Sequence, residues 1–263
     1  MKTREQILYV AGAVLLTAVL YFGFSTKPSS QKVLEKSRAL SAREFDIPSL
    51  EKEAISGLKP DEKTYLETLE SQAGHVDQDS QKVSLLKELS GFWYSHQEHL
   101  LAGMYAMQVA EIENTAESWS IAGASLAAVL QQKELEEKKL GFARDEAVQC
   151  FENAISLEPK VIEHRINQAL CYIEVPMQDM PMKGVQMLAG LATSFPESSL
   201  PPYHLARLAV RTGQYEKAAE RIEQAMALEP KNSRFACLAV DIYKALNQAD
   251  KVEKLNAVCA GQQ

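Results

Sequence analysis

The feature that most constrains this chain is a repeating pattern of small and large apolar residues with a period of about 34 residues. It is clearest in residues 199–232. Ala206 and Ala218 allow two antiparallel helices to approach closely, and Gly213 permits a sharp turn between them. Pro230 ends the second helix, because proline cannot donate the backbone hydrogen bond that would continue it. The segment is therefore predicted to be a helical hairpin.

Weaker copies of the pattern occur on both sides of this hairpin. Trp119 and Gly123 mark a first helix, and Phe151 belongs to the second helix of the same copy. The two halves are too far apart, so residues 131–144 are interpreted as an insertion that lengthens the first helix or the loop. A smaller insertion is expected at 176–181. The predicted units are 82–115, 116–161, 162–198, 199–232 and a capping hairpin at 233–263.

The spacing of the small, aromatic and proline residues in the clearest unit resembles the tetratricopeptide repeat. Segments 114–123, 167–172 and 208–215 also look similar to a group of bacterial tetratricopeptide proteins with an N-terminal membrane anchor. The resemblance implies an α-solenoid that scaffolds other proteins and supplies no activity of its own. The positions that carry it are Leu205, Ala206, Ala209, Gly213, Tyr215, Ala218, Ile222, Ala225, Leu228 and Pro230.

Residues 7–24 contain no charge and would reach about 27 Å as a helix, close to the thickness of the bilayer core. A cleaved signal peptide is the alternative, but Tyr21 and Phe22 stand where a cleavage site needs small residues. We therefore predict an all-α protein in which a transmembrane helix precedes the α-solenoid. Residues 1–6 form a short basic tail, and 25–81 form a helical stalk or linker.

The sequence evidence for the side of the membrane on which the repeats lie is nearly balanced and leans towards the cytoplasm. Counting Lys and Arg near the span favours a cytoplasmic C-terminal part, because more of them follow the span than precede it. The short charged N-terminal tail is typical of a signal-anchor, which would export the repeats. We expect a single-pass protein of the bacterial inner membrane. The basic residues after the span are Lys27, Lys32, Lys36, Arg38 and Arg43.

The net charge of -7 disfavours nucleic-acid binding, which requires surfaces rich in Lys and Arg. The cysteines are widely separated and suggest neither a zinc site nor a redox pair. They are interpreted as buried free thiols, although disulfides would be possible in an oxidising compartment. These cysteines are Cys150, Cys171, Cys237 and Cys259.

Stacked hairpins form a concave groove lined by the first helix of each repeat, where a peptide or a partner helix can bind. Arg207 and Arg211 lie four residues apart on one helical face, and with Arg234 and Lys244 they predict a basic patch. This patch is predicted to receive an acidic segment or a C-terminal carboxylate of a protein partner. The inward-facing residues are predicted to be Glu163, Ile166, Tyr203, Arg207, Arg211, Arg234, Asp241 and Lys244.

Catalytic chemistry is disfavoured. His96 and His99 are close in sequence, but they are expected in a surface turn, and one pair is weak evidence for a metal. No nucleophile motif, phosphate-binding glycine loop or carboxylate pair accompanies them. We therefore expect no enzymatic activity, no cofactor and no metal. Two functions stay open: a scaffold anchored at the membrane, or a periplasmic chaperone-like factor that assists a secretion or envelope complex.

Overall fold

The computed structural model describes residues 45–132 and 134–261, and every regular element in that part of the chain is a helix. The predicted tail at 1–6 and anchor at 7–24 lie outside the described residues. Within the described residues, no helix has the length and apolar character needed to cross a membrane. The helices are α1 Ile47–Ala54, α2 Pro60–His75, α3 Asp79–Ser95, α4 His99–Glu113, α5 Ala116–Val129, α6 Glu137–Leu157, α7 Ile162–Glu174, α8 Lys183–Ser194, α9 Leu200–Arg211, α10 Tyr215–Leu228, α11 Ser233–Ala245 and α12 Ala249–Cys259.

The helices from α3 onward pair into successive hairpins within the unit Ile47–Gln263. Each hairpin joins an odd-numbered helix to the even-numbered helix that follows it. The second helix of one hairpin also packs against the first helix of the next. Contacts therefore run between neighbours along the chain, as in an α-solenoid. The expectation of an all-helical repeat fold is confirmed for the described residues.

Three of the hairpins share the same tight turn. Gln97, Gly213 and Asn247 each adopt a positive φ, at 64°, 71° and 57°. In the turn at Gly213, the N–H of Gln214 donates to the carbonyl of Ala209 at 2.8 Å. The left-handed conformation reverses the chain, so that backbone N–H groups of the turn donate to carbonyls at the end of the first helix. Glycine adopts the conformation without strain, which explains its place at 213.

Small residues set the distance between the paired helices. A Cβ atom on Gly184 would lie 2.4 Å from the carbonyl oxygen of Ala169, and one on Gly123 would lie 2.9 Å from the Phe151 ring. The helices α7 and α8 therefore approach too closely at Gly184 for any larger residue. Trp119, which was predicted to mark the first helix of its copy, is 8% exposed and belongs to the core.

The insertion at 131–144 lengthens the loop of the second hairpin, which is one of the two expected outcomes, and it also extends the second helix. Helix α5 ends at Val129 and is not lengthened, whereas α6 begins at Glu137 and runs for 21 residues. The added residues form the loop and the start of the second helix. The insertion at 176–181 lies in the loop between α7 and α8.

Residues 47–75, which were predicted to be part of a helical stalk or linker, form two helices that contact the first hairpin. The hydroxyl of Tyr105 on α4 donates to Glu51 on α1 at 2.5 Å. Lys139 at the start of α6 pairs with Glu53 at 2.8 Å. Leu66 and Leu69 give α2 a buried face. These contacts hold α1 and α2 against the repeats.

The cysteines fall into two classes. Cys150 and Cys171 are buried free thiols, in agreement with the sequence interpretation. Cys237 and Cys259, in contrast, form a disulfide that joins α11 to the end of α12. The interpretation of free thiols is therefore wrong for this pair. Spacing could not reveal the bond, because the two residues meet only when the last hairpin closes.

Candidate functional site

The first helices of four consecutive hairpins line one open groove. Residues of α5, α7, α9 and α11 surround a cavity of about 560 Å³. The same helix of each hairpin faces this side because every hairpin repeats the order of the one before it.

The floor of the groove is apolar. Ala124, Ala127 and Ala128 of α5 contribute small side chains, and Phe151 of α6 lies beside them. The alanines leave room that larger residues would fill. Burial of an apolar group here would therefore be favourable, since it removes apolar surface of both partners from water. Larger apolar residues continue the floor along the next helices, at Leu170, Leu208 and Leu238.

One side of the groove carries two arginines in different environments. Arg211 pairs with Glu174 at 2.7 Å, so its charge is already partly satisfied. Arg207 is exposed and forms no ion pair within the described residues. Its guanidinium carbon lies 5.9 Å from the centre of the Tyr203 ring, and that of Arg234 lies 5.5 Å from the same ring. Two cations from successive hairpins thus share one aromatic ring.

His204 lines the groove between these charges. Burial, together with the nearby charges of Arg207 and Arg234, lowers the pKa of His204 from 6.5 to about 4. The imidazole is therefore neutral at pH 7. Its Nδ1 atom is buried and makes no hydrogen bond within the described part of the chain. Burial is the larger cause of the low pKa, and the two arginine charges add to it.

The predicted groove residues lie in three kinds of position. Arg207 and Arg211 line the cavity. Ile166 and Tyr203 are core residues with 2% and 7% exposure, so they are not available to a partner. This corrects the sequence interpretation for both. The other predicted residues are exposed on the surface and do not line the cavity: Glu163, Arg234, Asp241 and Lys244.

The predicted and observed groove residues differ for a simple geometric reason. On α7 the groove face contains Asn167, Leu170 and Glu174, which begin one position after Ile166. A shift of one residue turns a side chain by about 100° around the helix, which exchanges a core position for a groove position. His204 and Leu208 on α9 were missed for the same reason. Their spacing of four residues matches that of Arg207 and Arg211 and could have indicated the face.

The histidine pair lies where a turn was expected. His96 follows the end of α3, and His99 begins α4. The His96 ring contacts the Phe92 carbonyl at 2.8 Å and lies 3.6 Å from Glu62. Across residues 45–132 and 134–261, no group of three or more His, Cys, Asp or Glu side chains is arranged to hold a metal ion.

A family model described as a tetratricopeptide repeat matches residues 203–232. Residues 203–232 are a tetratricopeptide repeat. The match covers most of the hairpin α9–α10, where the sequence pattern was clearest, and the predicted family resemblance is confirmed.

Comparison with solved structures matches structures of MamA. One crystal structure of MamA is 12% identical, with a TM-score of 0.42, and the match covers 68% of this chain and 91% of that chain. A second, residues 41 to the end of MamA from Desulfovibrio magneticus RS-1, is 17% identical with a TM-score of 0.44. This match covers 69% of this chain and 97% of that chain. Comparison with curated proteins gave no match.

Proposed function

We propose that this protein is a scaffold that binds a segment of a partner protein in the groove formed by α5, α7, α9 and α11. The observation that carries the proposal is the open cavity of about 560 Å³ with an apolar floor. An apolar concave surface in contact with water gains free energy when a complementary segment covers it. The repeated hairpins supply such a surface.

The charge of the groove favours an acidic partner segment. The whole chain carries a net charge of -7, yet Arg207 and Arg211 line the cavity and Arg234 lies beside it. Arg207 has no carboxylate partner within the described residues, so a carboxylate of the partner would meet an arginine that does not first have to leave an ion pair. A charge-assisted hydrogen bond to arginine is stronger than a neutral one.

Residues 7–24 are proposed to anchor this scaffold in the bacterial inner membrane. The uncharged run is long enough to cross a bilayer, and it precedes the repeats. Anchoring would concentrate the groove at the membrane surface, where it would gather a protein complex. Such tethering increases the effective concentration of the partners without adding contacts.

A periplasmic assembly or chaperone-like role is the second candidate, and the disulfide between Cys237 and Cys259 favours it. Disulfides persist in oxidising compartments such as the periplasm and are rare in the cytosol. A groove in the periplasm could hold an envelope or secretion component during assembly. The redox state of the pair in cells discriminates the two candidates: blocking free thiols at lysis would leave Cys237 and Cys259 unlabelled in the periplasm and labelled in the cytosol.

Charge reversal tests the groove. Arg207→Glu replaces an exposed cation that has no ion pair in the described residues, so the fold should be unaffected. Lys231→Glu is the matched control, because Lys231 is exposed and does not line the cavity. After crosslinking in native membranes, proteins captured by the wild type should be lost with Arg207→Glu and retained with Lys231→Glu. Equal recovery with both variants, at unchanged circular dichroism, would reject the groove as the binding surface.

A further inference from the structure

A second cavity lies on α3, α4 and α5, at the N-terminal end of the repeats. Its volume is about 750 Å³. Gly91 of α3 and Ala106 of α4 have small side chains that leave the space open, and Val109 adds apolar surface. We name it the N-terminal cavity and define it by these residues together with Tyr94 and Ile121.

Tyr94 and Ile121 are unusual in their exposure. Each lines the N-terminal cavity and is 56% exposed. They lie on different helices, α3 and α5, so large apolar side chains from two helices line the same space. Single exposed apolar residues are common, but a pair that lines one cavity indicates a binding surface.

Helix α5 connects this cavity to the groove. Ile121 and Ser125 line the N-terminal cavity, while Ala124 and Ala128 line the groove. These residues belong to two adjacent stripes of one helix, because positions three and four apart lie on the same face. A chain that leaves one cavity therefore enters the other after crossing α5.

The two cavities differ in charge. In the N-terminal cavity, Lys87 and Glu113 form an ion pair at 2.6 Å, which leaves little net charge from either residue. Glu117 also lines it and has no recorded ion pair among the described residues. The groove, in contrast, contains Arg207. An acidic stretch would be attracted to the groove and repelled by Glu117, so the charges fix the direction of a bound segment.

We propose that one linear segment of the partner protein occupies both cavities, with apolar side chains between Tyr94 and Ile121 and an acidic stretch at Arg207. This inference rests on the proposed function of the groove. Successive first helices are separated by at least the distance of about 8–10 Å between packed helices, so the path from α3 across α5 and α7 to α9 is at least about 24–30 Å long. An extended chain covers that distance with about nine residues. A segment of this length is typical of a linear motif.

A library of random 16-residue peptides displayed on phage tests the proposal against the purified repeat protein, with its N-terminal region kept. Enriched peptides should combine an apolar or aromatic pair with an acidic cluster about nine residues away. Both Ile121→Ser and Arg207→Glu should weaken a selected peptide by about tenfold or more. The matched control is Leu228→Ser, since Leu228 is 44% exposed and lines neither cavity. It should leave the affinity unchanged.

Shortened peptides give the decisive comparison. The acidic half of a selected peptide should bind more weakly, and its affinity should no longer depend on Ile121. If selected peptides respond to Arg207→Glu and not to Ile121→Ser, the two-cavity segment is overturned while the proposed function survives. If they respond to neither variant, or if no peptide is enriched, both proposals fail. Sedimentation that shows a dimer, converted to monomer by Ile121→Ser, would assign the cavity to a second copy and overturn the inference.

Discussion

Replacing Gly184 with alanine should destabilise the third hairpin. The added Cβ would lie 2.4 Å from the carbonyl oxygen of Ala169, whereas real Cβ atoms essentially never come within 3.0 Å of such a neighbour. The helices α7 and α8 must therefore separate by at least about 0.6 Å, which loosens the packing of Leu188 and Leu191. Overpacking of this kind costs about 1–3 kcal/mol. The better helix propensity of alanine offsets at most about 1 kcal/mol of that cost.

Gly190 is the matched control on the same helix. A Cβ atom there would meet nothing within 4 Å, so Gly190→Ala should stabilise the protein by about 0.5–1 kcal/mol. Because both variants gain the helix propensity of alanine, they should differ by the overpacking cost of about 1–3 kcal/mol, or about 2–12 °C in Tm for a unit of this size. Thermal unfolding followed by circular dichroism at 222 nm measures the difference. Equal Tm values for the two variants would refute the close approach of α7 and α8.

Two further predictions concern the ends of the repeats. Cys259→Ser should remove amide-exchange protection from α12, because this helix has no buried side chain of its own. The disulfide closes a separation of 22 residues, and its loss should cost about 3 kcal/mol of stability. Hydrogen-exchange mass spectrometry should show the loss of protection in α12 and no change in α9. Burial and the neighbouring charge of Glu51 raise the pKa of Glu70 from 4.5 to about 7. The folded state then keeps this proton at higher pH than the unfolded chain, so stability should fall as pH rises from about 4.5 to about 7. In Glu70→Gln, the loss of unfolding free energy between these two pH values should be smaller by about 1 kcal/mol, a figure reduced for solvent screening. Urea unfolding at each pH measures this loss. An equal loss in the wild type and the variant would contradict the raised pKa of Glu70.

The hairpin α9–α10 could be predicted from sequence because its signals are local. Ala206, Ala218 and Ala225 are all buried, and Gly213 has the positive φ that its turn requires. Each of these residues acts within one hairpin, so spacing along the chain is sufficient to find it. The family match to residues 203–232 falls in the same segment.

Features that depend on contacts between distant residues could not be predicted. The bond between Cys237 and Cys259 and the contact of Tyr105 with Glu51 join helices whose distance only the folded chain sets. The groove face was partly missed, because a helix rotated by one residue exchanges Ile166 for Asn167. Arg207 could be predicted because its charge places it on the surface whichever face of α9 is assigned to the groove.

Site-specific photo-crosslinking in the cells that produce the protein tests the groove as the binding surface most directly. A photoreactive amino acid replaces Leu208 in the groove, or Glu220 on the exposed surface of α10. Position 208 should capture one defined protein whose crosslinked residues, read by mass spectrometry, lie in an acidic segment, and position 220 should not capture it. Arg207→Glu should abolish the crosslink. Capture of the same protein from position 220 and not from 208 would contradict the account.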